Sequence, residues 1–263
     1  MRTLVKPAHA ILMSMLVSAS VFANTADSPS WPQISAVNQV RFVDSRFDAE
    51  SFVGNGFLLN YRSRTYAVTA KHVLLMAKTD AMKTIELDGQ LKSWRMQVNG
   101  DPSQYIELGR LINTDPKEAL DMTVIERDWL VFEVRENRSK LVPLTLSENE
   151  KAAPGDVLYA IGCSYARQKK CRQDSYSGRL LAYAPHNLLV QLDDVESELG
   201  GLSGAPVVDA KQGLVGIVSN FMPNPNGKGD VFAPASLDYL RAVLESDHSA
   251  GAASPLAKSR NEP

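Results

Sequence analysis

Short apolar runs separated by turn signals set the strongest limit on what this chain can fold into. Residues 56–60 (GFLLN) and 66–69 (YAVT), with five residues between them, form a candidate hairpin. Residues 129–134 (WLVFEV), 156–161 (DVLYAI), 187–192 (NLLVQL), 205–208 (APVV) and 213–218 (GLVGIV) read as further strands. Pro154-Gly155 and residues 209–213 mark turns between them. Many short strands without long helices between them predict an all-β sandwich or barrel. One helix is expected near the end, where Ser236 can cap a segment in which Leu237, Leu240 and Leu244 recur at spacings of three and four. Past Glu245 the composition turns to Ser, Ala, Gly, Lys and Asn, so residues 246–263 are expected to be a disordered tail. At 263 residues, 44% of them hydrophobic, the chain can bury a sizeable core.

The N-terminus carries a different signal. Arg2 and Lys6 precede an apolar run over residues 10–17, and small residues then lead to Val21-Phe22-Ala23. This predicts a secretory signal peptide over residues 1–23 and an exported protein, periplasmic or secreted. Ser14, Ser18 and Ser20 interrupt the run, which falls short of the roughly 20 residues of a spanning helix, so no stable membrane insertion is expected after cleavage. Residues 24–35, with Pro29 and Pro32, read as a flexible leader to a folded domain at 36–245. In an oxidising compartment Cys163 and Cys171 should pair across the basic segment between them. Two cysteines without neighbouring histidines are too few for a structural zinc site, and no metal or other cofactor is expected. The 28 basic and 30 acidic side chains leave a net charge of -2, which gives no field to attract nucleic acid.

Two residues stand out chemically. His72 follows a buried strand in YAVTAKHVL, at a strand end where its ring can sit beside the core. Ser203 lies in GGLSGAPVVD, where Gly200 and Gly201 permit backbone conformations that a Cβ forbids, so the amides of Gly201 and Ser203 can turn toward one point. Such a pair of donors is what an oxyanion hole requires.

Together these stretches carry a resemblance. GNGFLLNYRSRTYAVTAKHV, residues 54–73, resembles the histidine hairpin of the trypsin-like serine proteases, and GLSGAPVV, residues 201–208, is similar to the segment around that family's nucleophile. GDVLYAIG at 155–162 and VFAPAS at 231–236 resemble strands of the bacterial Deg-type branch. The resemblance spans about residues 36–245 and implies two antiparallel six-stranded β-barrels with a C-terminal helix. It implies a serine endopeptidase acting on protein or peptide substrates, with His72 and Ser203 in its triad. The third member is expected to be Asp128 in DWLVFEV, with Asp121 in DMTVIE as competitor. Ser197, six residues before Ser203, falls where the primary pocket has its floor, and Ser219, Asn220 and Phe221 resemble the strand lining the substrate cleft. A neutral floor beside Phe221 favours a small or apolar side chain, whereas Glu196 and Glu198 favour a basic one, and both options stay open. No PDZ-like segment follows the helix, which in that branch implies a monomer.

Three departures matter. Leu202 stands where zymogen-activated members carry an aspartate that pairs with a freed N-terminal amine, so that ion pair cannot form. Ala205 replaces a glycine, and Lys71 puts a cation beside His72, where it would lower the imidazole pKa if its amine pointed inward. A protease-fold binding protein of the cell envelope that has lost catalysis is the alternative reading.

Overall fold

In the computed structural model the described residues are 30–43, 52–148, 151–194 and 199–253. The signal peptide expected at 1–23 and most of the leader lie outside them. Packing begins at Trp31, whose ring lies tilted against Tyr159, and Ile34 is buried. The folded domain thus begins within the segment read as leader, because Gln173 gathers it. Its side-chain oxygen accepts from the Ile34 and Ser35 amides, and its nitrogen donates to the Pro32 carbonyl.

The first barrel is built from β1 (Ser35–Phe42), β2 (Asn55–Tyr61), β3 (Arg64–Thr69), β5 (Leu91–Gln97), β6 (Tyr105–Leu111) and β8 (Leu130–Asn137), closed in the order β1-β2-β3-β8-β6-β5. The β2–β3 hairpin turns tightly at Arg62, whose φ is 52°. A short helix α1 (Val73–Ala77) follows β3, and β4 (Thr84–Ile85) pairs with β7 (Asp115–Ala119) as a two-stranded flap. The second barrel uses β9 (Val157–Gly162), β10 (Asp174–Tyr183), β11 (Leu188–Leu192), β12 (Pro206–Val208), β13 (Leu214–Pro223) and β14 (Asp230–Ser236), closed as β10-β11-β14-β13-β12-β9. Every pairing within the two barrels is antiparallel. Closure leaves neither barrel with a free edge along its wall, which removes the usual route to edge-to-edge aggregation.

The barrels share a core. One apolar cluster runs from Phe57, Val68 and Phe132 in the first barrel to Ile161, Val208 and Ile217 in the second, and on to Leu240 and Leu244. Trp129 sits at the junction, fully buried, and its indole donates to the Ser236 carbonyl at 2.9 Å. The chain crosses between the barrels through residues 141–147, which bridge to both: Leu144 against Leu59, and Leu146 against Leu214.

The last helix, α2 (Asp238–Ala253), continues past Glu245. Residues 246–253 therefore belong to the helix and not to the tail expected there, while 254–263 lie outside the described residues. Ser236 does not cap it, because it closes β14. Leu237, Leu240 and Leu244 do face the core, as their spacing predicts.

Candidate active site

β3 delivers His72. The strand ends at Thr69, the buried Ala70 and Lys71 continue the chain, and His72 stands at the entry to α1 with its imidazole largely covered. Lys71 is fully buried, and its amine is engaged by neighbours. It donates to both carboxylate oxygens of Glu118 on β7 at 2.7 Å and lies over the ring of Tyr239 on α2. A buried cation needs such a partner. Through these contacts Lys71 fastens the histidine turn to β7 and α2.

A 3-10 turn, Met122–Arg127, sorts the two candidate acids. Asp121 caps its start, accepting from the hydroxyl and then the amide of Thr123, and these bonds hold its exposed carboxyl below the ordinary aspartate range. Asp128 ends the turn and is completely buried. Its Oδ1 accepts the His72 amide at 2.9 Å, and its Oδ2 lies 2.6 Å from His72 Nδ1. Ser219 Oγ donates to the same Oδ2 at 2.5 Å. Three donors thus surround a carboxylate that has no access to water.

On the far side of the ring, His72 Nε2 lies 2.6 Å from Ser203 Oγ. Asp128, His72 and Ser203 are brought together from both barrels, as their order along the sequence suggested. The serine rides on a loop that depends on two glycines. Gly201 has φ +93° and Gly204 φ +81°, a region open mainly to glycine, and a Cβ on Gly204 would lie 2.2 Å from the Asn55 carbonyl oxygen.

The peptide planes of this loop are set by their carbonyls. Gly200 C=O accepts from the Tyr165 amide, and Leu202 C=O from the Ala205 amide, both at 2.8 Å. In a trans peptide the N–H points opposite to the C=O, so the amides of Gly201 and Ser203 face away from those contacts. Among the described residues neither amide has a protein acceptor. Leu202 is fully buried among the apolar side chains of the second barrel, including Val207, Val218 and Phe232. Burial of this leucine contributes about 2 kcal/mol by area.

The expected cleft strand is more divided. Ser219 is committed to Asp128, a role its sequence context did not reveal, and Asn220 Oδ1 accepts from Asn187. Phe221 remains half exposed, with its ring against Phe232. Ser197, Glu196 and Glu198 lie outside the described residues. Cys163 and Cys171 are joined in a disulfide, and Asn99 Nδ2 donates to the Cys171 carbonyl at 2.6 Å and to that of Gln168 at 2.8 Å. Among the described residues no cluster of histidine, cysteine and acidic side chains could hold a metal, and no helix is long and apolar enough to cross a membrane.

A family model described as a trypsin-like peptidase domain matches residues 54–217. No curated protein matches the chain. Among solved structures, a serine endoprotease from Yersinia pestis is similar over 83% of this chain and 64% of its own, with TM-score 0.52 and 18% identity. The chain therefore spans just under two thirds of that protein. Kallikrein-related peptidase 10 is similar over 82% of this chain and 95% of its own, with TM-score 0.54 and 16% identity. At these identities the likeness to the two structures speaks to the fold.

Proposed function

Because the chain belongs to the trypsin-like peptidase family, we propose that it is a serine endopeptidase in which Ser203 is the nucleophile, His72 the general base and Asp128 the acid that orients the histidine. What supports this reading above all is the unbroken contact from a buried carboxylate through the imidazole to the serine hydroxyl, 2.6 Å on each side of the ring.

A serine hydroxyl is a weak nucleophile until a base takes its proton. Ser203 Oγ attacks the peptide carbonyl carbon while its proton passes to His72 Nε2, and the carbonyl electrons collect on oxygen. The amides of Gly201 and Ser203 receive that oxyanion, each donor being worth about 3 kcal/mol in such sites. As the C–N bond breaks, His72 returns the proton to the leaving amine, leaving an acyl group on Ser203. Water then attacks with His72 again as base, and the acid product departs with the serine restored. Asp128 fixes the tautomer with the proton on Nδ1 and stabilises the imidazolium. Ser219 and the His72 amide keep that carboxylate from rotating.

The protein is exported in this reading, its signal at residues 1–23 removed and its substrates peptides or proteins outside the cytoplasm. The disulfide is in keeping with an oxidising compartment. The test is covalent labelling by a fluorophosphonate probe, followed by cleavage of a peptide library. Wild-type protein should label at Ser203 and cleave, and Ser203→Ala and His72→Ala should each abolish both. A folded wild type that neither labels nor cleaves would overturn the proposal in favour of a binding protein on a protease fold.

A further inference from the structure

Oxyanion loops must hold their amides outward before substrate arrives, and Leu202 removes the ion pair that does this in zymogen-activated relatives. Of the four successive carbonyls from Gly200 to Ser203, those of Gly200 and Leu202 share their peptide planes with the Gly201 and Ser203 amides, and those of Gly201 and Ser203 lie on the adjoining planes. Each carbonyl accepts a hydrogen bond: Gly200 from the Tyr165 amide, Gly201 from Asn55 Nδ2, Leu202 from the Ala205 amide and Ser203 from the Asn55 amide. One residue on β2 supplies two of the four, at 2.7 Å each.

Asn55 is almost wholly buried, at 1% exposure, and its carboxamide is fully engaged. The second hydrogen of Nδ2 goes to the Cys163 carbonyl at 3.0 Å, and Oδ1 accepts the Cys163 amide at 3.0 Å and the Ser35 hydroxyl at 3.4 Å. It therefore joins β2, the start of the disulfide loop and the serine loop. The surroundings are shaped around it, since a Cβ on Gly162 would fall 2.8 Å from Oδ1 and one on Gly54 would fall 2.6 Å from the Ser203 carbonyl oxygen. An aspartate of the same shape would fail here. It would set a carboxylate oxygen against the Gly201 and Cys163 carbonyls, acceptor against acceptor, in a site closed to water.

We infer that Asn55 is a positioning residue for the oxyanion hole: by fixing the Gly201 and Ser203 carbonyls it locks the peptide planes adjoining those that carry the Gly201 and Ser203 amides, and so keeps the loop in shape in place of the missing ion pair. It acts through the loop and touches no reacting atom. The inference rests on Ser203 being the nucleophile.

The experiment compares the full chain with Asn55→Ala, Asn55→Ser, Asn99→Ala and Ser203→Ala. It measures kcat and KM on the best peptide from the library, with melting temperature as the check on folding. Asn55→Ala should lower kcat by about 10²-fold or more while KM moves by less than about threefold, because the oxyanion forms only in the transition state. Asn55→Ser, which keeps one short donor, should fall between it and wild type, and it carries the test if the alanine variant does not fold. Asn99→Ala loosens the disulfide loop without touching residues 200–203 and should keep the wild-type kcat.

A folded Asn55 variant with unchanged kcat would overturn the inference, as would a loss confined to KM. So would an equal fall in kcat for Asn99→Ala, since loop stability alone would then explain the effect. If Ser203→Ala still cleaves, it is the assignment of the nucleophile that fails.

Discussion

Asp128 accepts three hydrogen bonds inside a dry pocket, and one atom decides whether they can form. In Asp128→Asn a carboxamide nitrogen must replace one of the two oxygens. If it occupies the Oδ2 position it faces the donors on His72 Nδ1 and Ser219, and the imidazole is driven to the tautomer that cannot accept from Ser203. Turnover should fall by about 10⁴-fold with little change in KM, as steady-state kinetics would show. Residual activity within about tenfold of wild type would argue for another acid. The sequence pointed to His72 and Ser203 through their flanking residues, and it left Asp121 beside Asp128 because both head apolar stretches. Only the 3-10 turn separates them, exposing one end and burying the other. Asn55 lay in a quoted motif, yet its partners are 108 and 146 residues away, and no local pattern records such distances. The local clue was a polar side chain between two glycines at the head of an apolar strand.

The strands that sequence patterning revealed carry continuous apolar runs, such as those of β2, β9 and β12. Among those it missed, β5, β6 and β7 carry Lys, Arg and Glu on an outward face, so their apolar positions are too sparse to stand out, and β1 is mostly buried but broken by Asn38, Gln39 and Arg41. The helix α2 was legible on its core face and not in its length. Its last turns are held by charges: Glu245 takes Tyr61 and Arg62, and Asp247 takes Arg64 and Tyr66 from the same hairpin. The Tyr61 hydroxyl, and then Arg62, holds the Glu245 carboxyl below its ordinary value of 4.5. A carboxylate with a depressed folded pKa stabilises above its unfolded pKa, and the contribution disappears as pH falls through the folded one. Wild type should therefore melt slightly higher than Glu245→Gln near neutral pH, with the gap closing below about pH 4. Parallel melting curves at every pH would rule out this docking role.

Across the whole molecule, Ser203 and His72 belong to different barrels joined by one apolar cluster, so loss of that core should remove fold and site together. Recovery after unfolding is then governed by chemistry on the open chain. Asn55 is followed by Gly56, the pairing most prone to cyclise and deamidate, because glycine places no side chain in the way of its own amide nitrogen. In the native barrel that reaction is blocked, since β2 is paired on both sides and the carboxamide is held at both ends. Asn226-Gly227 has no such shelter, being exposed in the turn between β13 and β14. Heating past the midpoint should release Asn55, and each molecule that deamidates there carries aspartate or isoaspartate, neither of which can donate to the Gly201 and Cys163 carbonyls. Irreversible loss of activity should track deamidation at residue 55, followed by peptide mass spectrometry, while the same lesion at Asn226 should accumulate in native protein without effect. Recovered activity that stays full as residue 55 deamidates would refute this. The loop-holding asparagine is in that sense a clock, stopped while the protein is folded and running whenever it opens.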